Sequence, residues 1–250
     1  MENMICPKCG QFQEKAEACR SCGVIVAKLK RTPAPLSSTE MSNDIHVQVV
    51  DSLGSSIKQR LFFINDKEDV VSVFFRGLVF LGMMVLSFKL ITSTIASNYA
   101  GEIFLHAINL PFHEAGHVVF RLFGSFMTSL GGTLGQFIIP AICFYTFLFR
   151  HTNPFAAAVC FWWIGENFLD IAPYINDARA GDLPLLGGNF GHSSPYGFHD
   201  WEYILTESGL IKHDQTIANL SFFIGSVTMI LALVWAGLLL FRQYEVASSK

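Results

Sequence analysis

Residues 217–241 form a run of 25 positions without a charge, and residues 128–149 form another of 22. Runs of that length match the roughly 20 apolar residues a helix needs to cross the hydrocarbon core of a bilayer. In lipid the backbone must close its own hydrogen bonds, so such runs fold as helices. Three more segments read the same way: 77–95, 103–120 and 154–176. The chain is therefore expected to be an all-α polytopic membrane protein with about five transmembrane helices. Composition agrees, with 51% of the 250 residues hydrophobic and 15% charged, where soluble domains carry about 25% charge. The net charge of −3 and the absence of a basic block argue against nucleic acid as a partner.

The segment 103–120 contains His113-Glu114-Ala115-Gly116-His117, an HExxH motif. Residues four apart share one helix face, so both imidazoles can reach a single zinc ion. Glu114 lies beside them as a base for a water activated by that metal. Ionisable groups among Leu, Ile, Phe and Val are costly, which marks these as functional.

The chain begins with Cys6-Pro7-Lys8-Cys9-Gly10 and Cys19-Arg20-Ser21-Cys22-Gly23. Two CxxC knuckles, each followed by glycine, can place four thiolates around a structural zinc. A pair of disulfides would need an oxidising compartment. Residues 1–30 are read as a zinc ribbon, similar to the small ribbons at the ends of many bacterial proteins. Such a unit takes its folding energy from the metal and can recruit a cytoplasmic protein partner. Cys143 and Cys160 lie in apolar segments and read as core. Residues 31–56 are Pro-, Ser- and Thr-rich and read as a linker, while 57–69 can form a short helix on the membrane surface. The whole of 31–69 is thus linker and interfacial helix, and 70–250 is the membrane domain.

Residues 1–69 contain no apolar segment of signal-peptide type, which leaves the N-terminus in the cytoplasm of a bacterial inner membrane. Five spans then put Lys58, Arg60, Lys67, Arg76, Arg121, Arg179 and Lys212 inside, and Arg150, Arg242 and Lys250 outside. In that arrangement His117 and His113 lie about 6 and 12 Å inside the cytoplasmic boundary. The metal site is accordingly expected to open to the cytoplasm.

The HExxH span, with Gly131-x-x-x-Gly135 in the next segment and Asp170-Ile-Ala-Pro173-Tyr-Ile-Asn-Asp177 in the one after, resembles the core of the site-2 protease class of intramembrane zinc metalloproteases. Asp170 stands where that class has Asn, Ala178 where Gly is usual, and the Pro-to-Asp spacing is one residue short. The resemblance implies hydrolysis of peptide bonds in or beside the bilayer, on a membrane-protein or peptide substrate. It also implies a catalytic zinc on His113, His117 and Asp177. Asp170 is the alternative ligand or a partner for an imidazole NH. Glu166 would lie about 20 Å deep, away from the histidines.

The segment 178–216 carries six glycines and is too long for a plain connection. Its His199-Asp200-Trp201 can supply an extra ligand, or Asp200 can simply occupy the first turn of a surface helix. His106, His151 and His213 read as interfacial or solvated, and the role of His192 is open. A non-catalytic membrane adaptor, recruiting partners through the ribbon, is the alternative function. A transporter is disfavoured by the lack of an internal repeat.

Overall fold

The computed structural model describes residues 3–6, 8, 10, 12–14, 18–25, 56–186 and 188–249. Cys9 and residues 31–55 of the expected linker lie outside the described residues. The chain divides into two compact units, Met1–Gly54 and Ser55–Lys250.

In the first unit, β1 (Asn3–Ile5) pairs antiparallel with β2 (Phe12–Glu14), with Ile5 opposite Phe12. A bridge joins Ala18 and Ile25. The N–H of Gly10 bonds to the Cys6 carbonyl at 2.9 Å and that of Gly23 to the Cys19 carbonyl at 2.8 Å. Both glycines have left-handed backbones, with φ of 74° and 69°. That conformation is open to glycine and strained for other residues, which explains a glycine after each CxxC.

The second unit is helical: α1 (Val70–Thr92), α2 (Phe104–Phe120), α3 (Ser125–Tyr145), α4 (Pro154–Asn176), α5 (Asp200–Glu207) and α6 (Asp214–Ser248). Asp69 caps α1 by accepting from the Ser72 N–H, and Asn153 caps α4 from the Ala156 N–H, with Pro154 in the first turn. The central helix is α4, which packs on α6 with Gly165 and Gly225 so close that a Cβ on either would meet the other's backbone. Trp162 of α4 donates to Ser87 of α1 at 2.7 Å, and Leu90, Leu169 and Met229 complete this core.

Among the described residues four helices, where the sequence led to an expectation of five, are long and apolar enough to cross a membrane: Val70–Thr92, Ser125–Arg150, Pro154–Asn176 and Ile211–Ser248. The helix that falls short is α2, at 17 residues. It begins after extended Ile103 and ends in a single turn, Arg121–Phe123, closed by Gly124 with φ of 92°. Its polar residues His106, Asn109, His113, Glu114 and His117 shorten the apolar run further.

Of the surface helix expected over 57–69, only residues 57–61 are helical. Arg60 donates to the Phe149 carbonyl at 3.0 Å, and the Trp235 indole donates to the Leu61 carbonyl at 2.9 Å. Phe62 and Ile64 pack with Phe80, Phe155 and Leu240. The start of α1, the finish of α3, the start of α4 and the second half of α6 therefore share one end of the bundle. At the other end Ile95, just past α1, packs with Ile171, Ile175 and Ile211. Because α1 and α3 each run the length of the bundle, α2 both begins and finishes at this second end.

Candidate metal centre

Gly116 faces Gly131, Gly132 and Gly135 where α2 meets α3. A Cβ at Gly132 would lie 2.5 Å from His113 Nε2 and 2.6 Å from His117 Cε1, so the α3 backbone is the wall behind both rings. The expected close approach at Gly131-x-x-x-Gly135 is thus present, with Gly132 adding the contact to the imidazoles.

The ring centroids of His113 and His117 are 4.7 Å apart. His117 Nδ1 is 2.7 Å from the Thr128 carbonyl, which can only accept, so Nδ1 carries the proton. His113 Nδ1 is 2.7 Å from Gln136 Oε1. A relay sets the direction of that amide: Gln136 Nε2 donates to Asn167 Oδ1 at 3.0 Å, and Asn167 Nδ2 donates to the Trp163 carbonyl at 3.1 Å. Both histidines therefore present Nε2 to the same point.

That point is occupied by Asp200. Its Oδ2 lies 3.1 Å from His113 Nε2 and 3.2 Å from His117 Nε2. Burial works to raise the Asp200 carboxyl, but its contacts with His113 and His117 outweigh it and hold the group below the ordinary carboxylate range. Two ring nitrogens without protons and a carboxylate oxygen repel one another unless a cation lies between them. A proton on His117 Nε2, an imidazole that Asp200 pushes up to about 9, would satisfy one contact and leave His113 Nε2 facing the same carboxylate. A single divalent ion satisfies all three groups at once. Zn–N and Zn–O bonds of about 2.0–2.1 Å give tetrahedral edges of about 3.3 Å, close to the observed spacings. His113, His117 and Asp200 fit a zinc ion.

Asp177, the ligand implied by the resemblance, is not among these three. It lies one residue beyond α4, and its carboxylate turns into the following loop. It accepts from the Asp182 N–H at 2.9 Å and the Leu183 N–H at 3.0 Å. Burial raises the Asp177 carboxyl, but His199 and the two amides outweigh it, leaving the group below its usual range. His199 Nδ1 accepts from the Glu202 N–H at 3.2 Å and so caps α5. Its Nε2–H is left to face Asp177 Oδ2 at 3.4 Å. Gly181 and Gly191 touch through their backbones, and a Cβ on Gly191 would lie 2.9 Å from the His199 ring. The segment 178–199 is thus a strap whose anchored end delivers Asp200, the first residue of α5. Both readings of His199-Asp200-Trp201 hold at once: a helix starts there, and its first carboxylate reaches the histidines.

Asp170 also lies away from the ligand cluster. Its Oδ1 is 2.8 Å from His106 Nδ1, and its Oδ2 accepts from Asn109 at 2.9 Å and, more weakly, from Gln136 at 3.4 Å. Asp170 therefore reaches His113 only through Gln136. Glu166 is fully buried and accepts from Asn109 at 3.0 Å. His106, expected to be interfacial, instead forms a dyad with Asp170 and stacks on Tyr174. The sequence signal was its position seven residues before His113, two turns away on one helix face. His192 Nδ1 lies 2.7 Å from the Gly181 carbonyl, within the strap.

His106, His113, Glu114, His117, Asp170 and Asp200 line one cavity of about 550 Å³, within the range of small-molecule and cofactor sites. Glu114 and the ligand cluster form one part of its wall, and His106 with Asp170 another. Leu110, Ile171, Leu185, Leu186, Phe198 and Trp201 provide apolar lining.

In the N-terminal unit the sulfurs of Cys6, Cys19 and Cys22 lie within 4.8 Å of one another, with Cys6 and Cys22 3.7 Å apart. Zn–S bonds of about 2.3 Å give sulfur–sulfur edges of about 3.8 Å. The backbone N–H groups of Cys22 and Ser21 lower the Cys19 thiol from its ordinary value. That favours the thiolate a metal requires. Comparison with protein-family models, with curated proteins and with solved structures finds no match for this chain.

Proposed function

We propose that the protein is a zinc-dependent, membrane-embedded endopeptidase with His113, His117 and Asp200 as ligands and Glu114 as general base. The observation that carries this reading is the convergence of both Nε2 atoms on one oxygen of Asp200, beside Glu114 in an apolar-lined cavity. A zinc ion held there supplies an acidified water and polarises a bound carbonyl. Glu114 takes the proton of the attacking water and returns it to the leaving nitrogen as the C–N bond breaks. Gln136 and the Thr128 carbonyl hold the two imidazoles in the tautomer that leaves Nε2 unprotonated. His106, held by Asp170, offers its other ring nitrogen to the substrate main chain. The apolar lining excludes bulk water and accepts the side chains of a membrane-derived segment.

The Cys6, Cys19 and Cys22 cluster, with Cys9, is assigned a structural zinc, and the ribbon serves as a docking module for a protein partner. The test is Glu114→Gln in protein purified in detergent, with cleavage of a membrane-protein substrate and zinc content both measured. Zinc should stay bound while cleavage is lost. Undiminished cleavage defeats the peptidase reading and favours an adaptor.

A further inference from the structure

The metal centre lies at the end of the bundle opposite residues 56–69. Asp200, the strap and the α2–α3 turn are gathered where α1 and α4 finish, while Arg60 and Leu61 are bonded to Phe149 and Trp235 at the other end. Four crossings place these two ends on opposite faces of a membrane, because α2 returns to the end it started from.

The charges tell the faces apart. Lys58, Arg60, Lys67, Arg76, Arg150 and Arg242 lie at the end without the metal centre. The sequence ahead of residue 56 adds six more Lys and Arg and no apolar run. The metal end carries Lys89 in the last turn of α1 and, in the connections 93–127 and 177–216, Arg121, Arg179 and Lys212. Lysine and arginine concentrate in cytoplasmic loops. The five-span reading assigned Arg121, Arg179 and Lys212 to the same side as residues 56–69; it parts from this one in taking α2 across the membrane, for which that helix of 17 residues is too short.

We propose that the metal centre opens to the extracytoplasmic face, and that its substrates are polypeptide segments exposed at that outer surface. The second half rests on the peptidase reading; the first half does not. It reverses the cytoplasmic opening expected from sequence.

Single cysteines test the orientation. Ser125→Cys and Ser193→Cys are exposed at the metal end, and Asp66→Cys is exposed at the other. Each is treated in intact bacterial cells with a membrane-impermeant maleimide, with the unsubstituted protein as background. The first two should label in intact cells, and Asp66→Cys only after permeabilisation. The opposite pattern overturns the proposal, and so does labelling of all three from one side. Substrate access is tested with two membrane-anchored reporters that place the same scissile segment outside or inside, using Glu114→Gln as the blank. Cleavage of the outer reporter supports the proposal, and cleavage of the inner one alone overturns it. If neither is cut although the cysteines label as expected, the substrate half falls with the peptidase reading and the orientation stands.

Discussion

The two metal-ligand clusters are built in opposite ways. The sulfur cluster draws Cys6, Cys19 and Cys22 from a few turns of chain, and two left-handed glycines shape its knuckles. The membrane-domain cluster joins residues 87 positions apart, His113 and Asp200. Its geometry depends on Gly132 behind the rings, Gln136 on Nδ1, and the Asp177–His199 contact that anchors the strap. A local site carries its own instructions, whereas a distributed one inherits its shape from the fold. Changes remote from the ligands should therefore disturb only the second.

The largest expected effect separates the clusters outright. Asp200→Ala should remove the zinc of the membrane domain and leave the sulfur-bound zinc, read as metal per chain by mass spectrometry. Cys19→Ser should do the reverse. If Asp200→Ala retains both metals, the third ligand lies elsewhere. A smaller effect, on rate alone, is expected of Glu114→Gln under the proposed peptidase reading. Loss of a general base typically lowers turnover about 10²–10⁴-fold, with zinc content unchanged.

This contrast also explains how much could be read before folding. The HExxH helix and the close α2–α3 approach are local or periodic patterns, and both are where the sequence placed them; of the expected four-cysteine set the described residues bring Cys6, Cys19 and Cys22 together. Asp200 was visible only as part of His199-Asp200-Trp201, a segment able to supply an extra ligand or to start a surface helix, because the path of the strap depends on Asp177 accepting from Asp182 and Leu183. Nothing in the periodicity of residues 178–199 encodes that turn. The span expected over 103–120 is a different case. Hydropathy measures apolar content, whereas the 17-residue length of α2 and its finish next to the start of α3 are properties of the fold.

The next prediction concerns a group that touches a ligand without being one. Gln136→Leu removes the acceptor on His113 Nδ1 at similar volume and leaves the buried Asn167 Oδ1 without its donor. Loss of such a partner typically weakens metal binding about 10–100-fold. Competition with a zinc chelator of known affinity measures it. Sulfur-bound zinc should be unaffected, and equal weakening at both sites would show a general loss of folding instead.

The smallest effect is expected at Asp177, and it decides between a ligand and an anchor. Asp177→Asn keeps the shape but weakens the acceptor for the Asp182 and Leu183 amides and for His199. Hydrogen bonds to a charged group contribute about 1.5–3 kcal/mol each, and the amide retains part of that. The strap should open more often, seen as faster hydrogen exchange at the Asp182 and Leu183 amides, with zinc bound more weakly yet still present. The same anchor gives a pH dependence of known sign. Its carboxyl lies below the usual range in the folded protein. Its contribution is therefore complete above the unfolded value of about 3.9 and is lost as pH falls through the lower folded one. Between pH 5 and 8 strap exchange, corrected for the intrinsic rate, should be flat in the native protein. Should Asp177→Asn shed zinc as completely as Asp200→Ala while the strap amides stay protected, Asp177 is a ligand and Asp200 is not the third one.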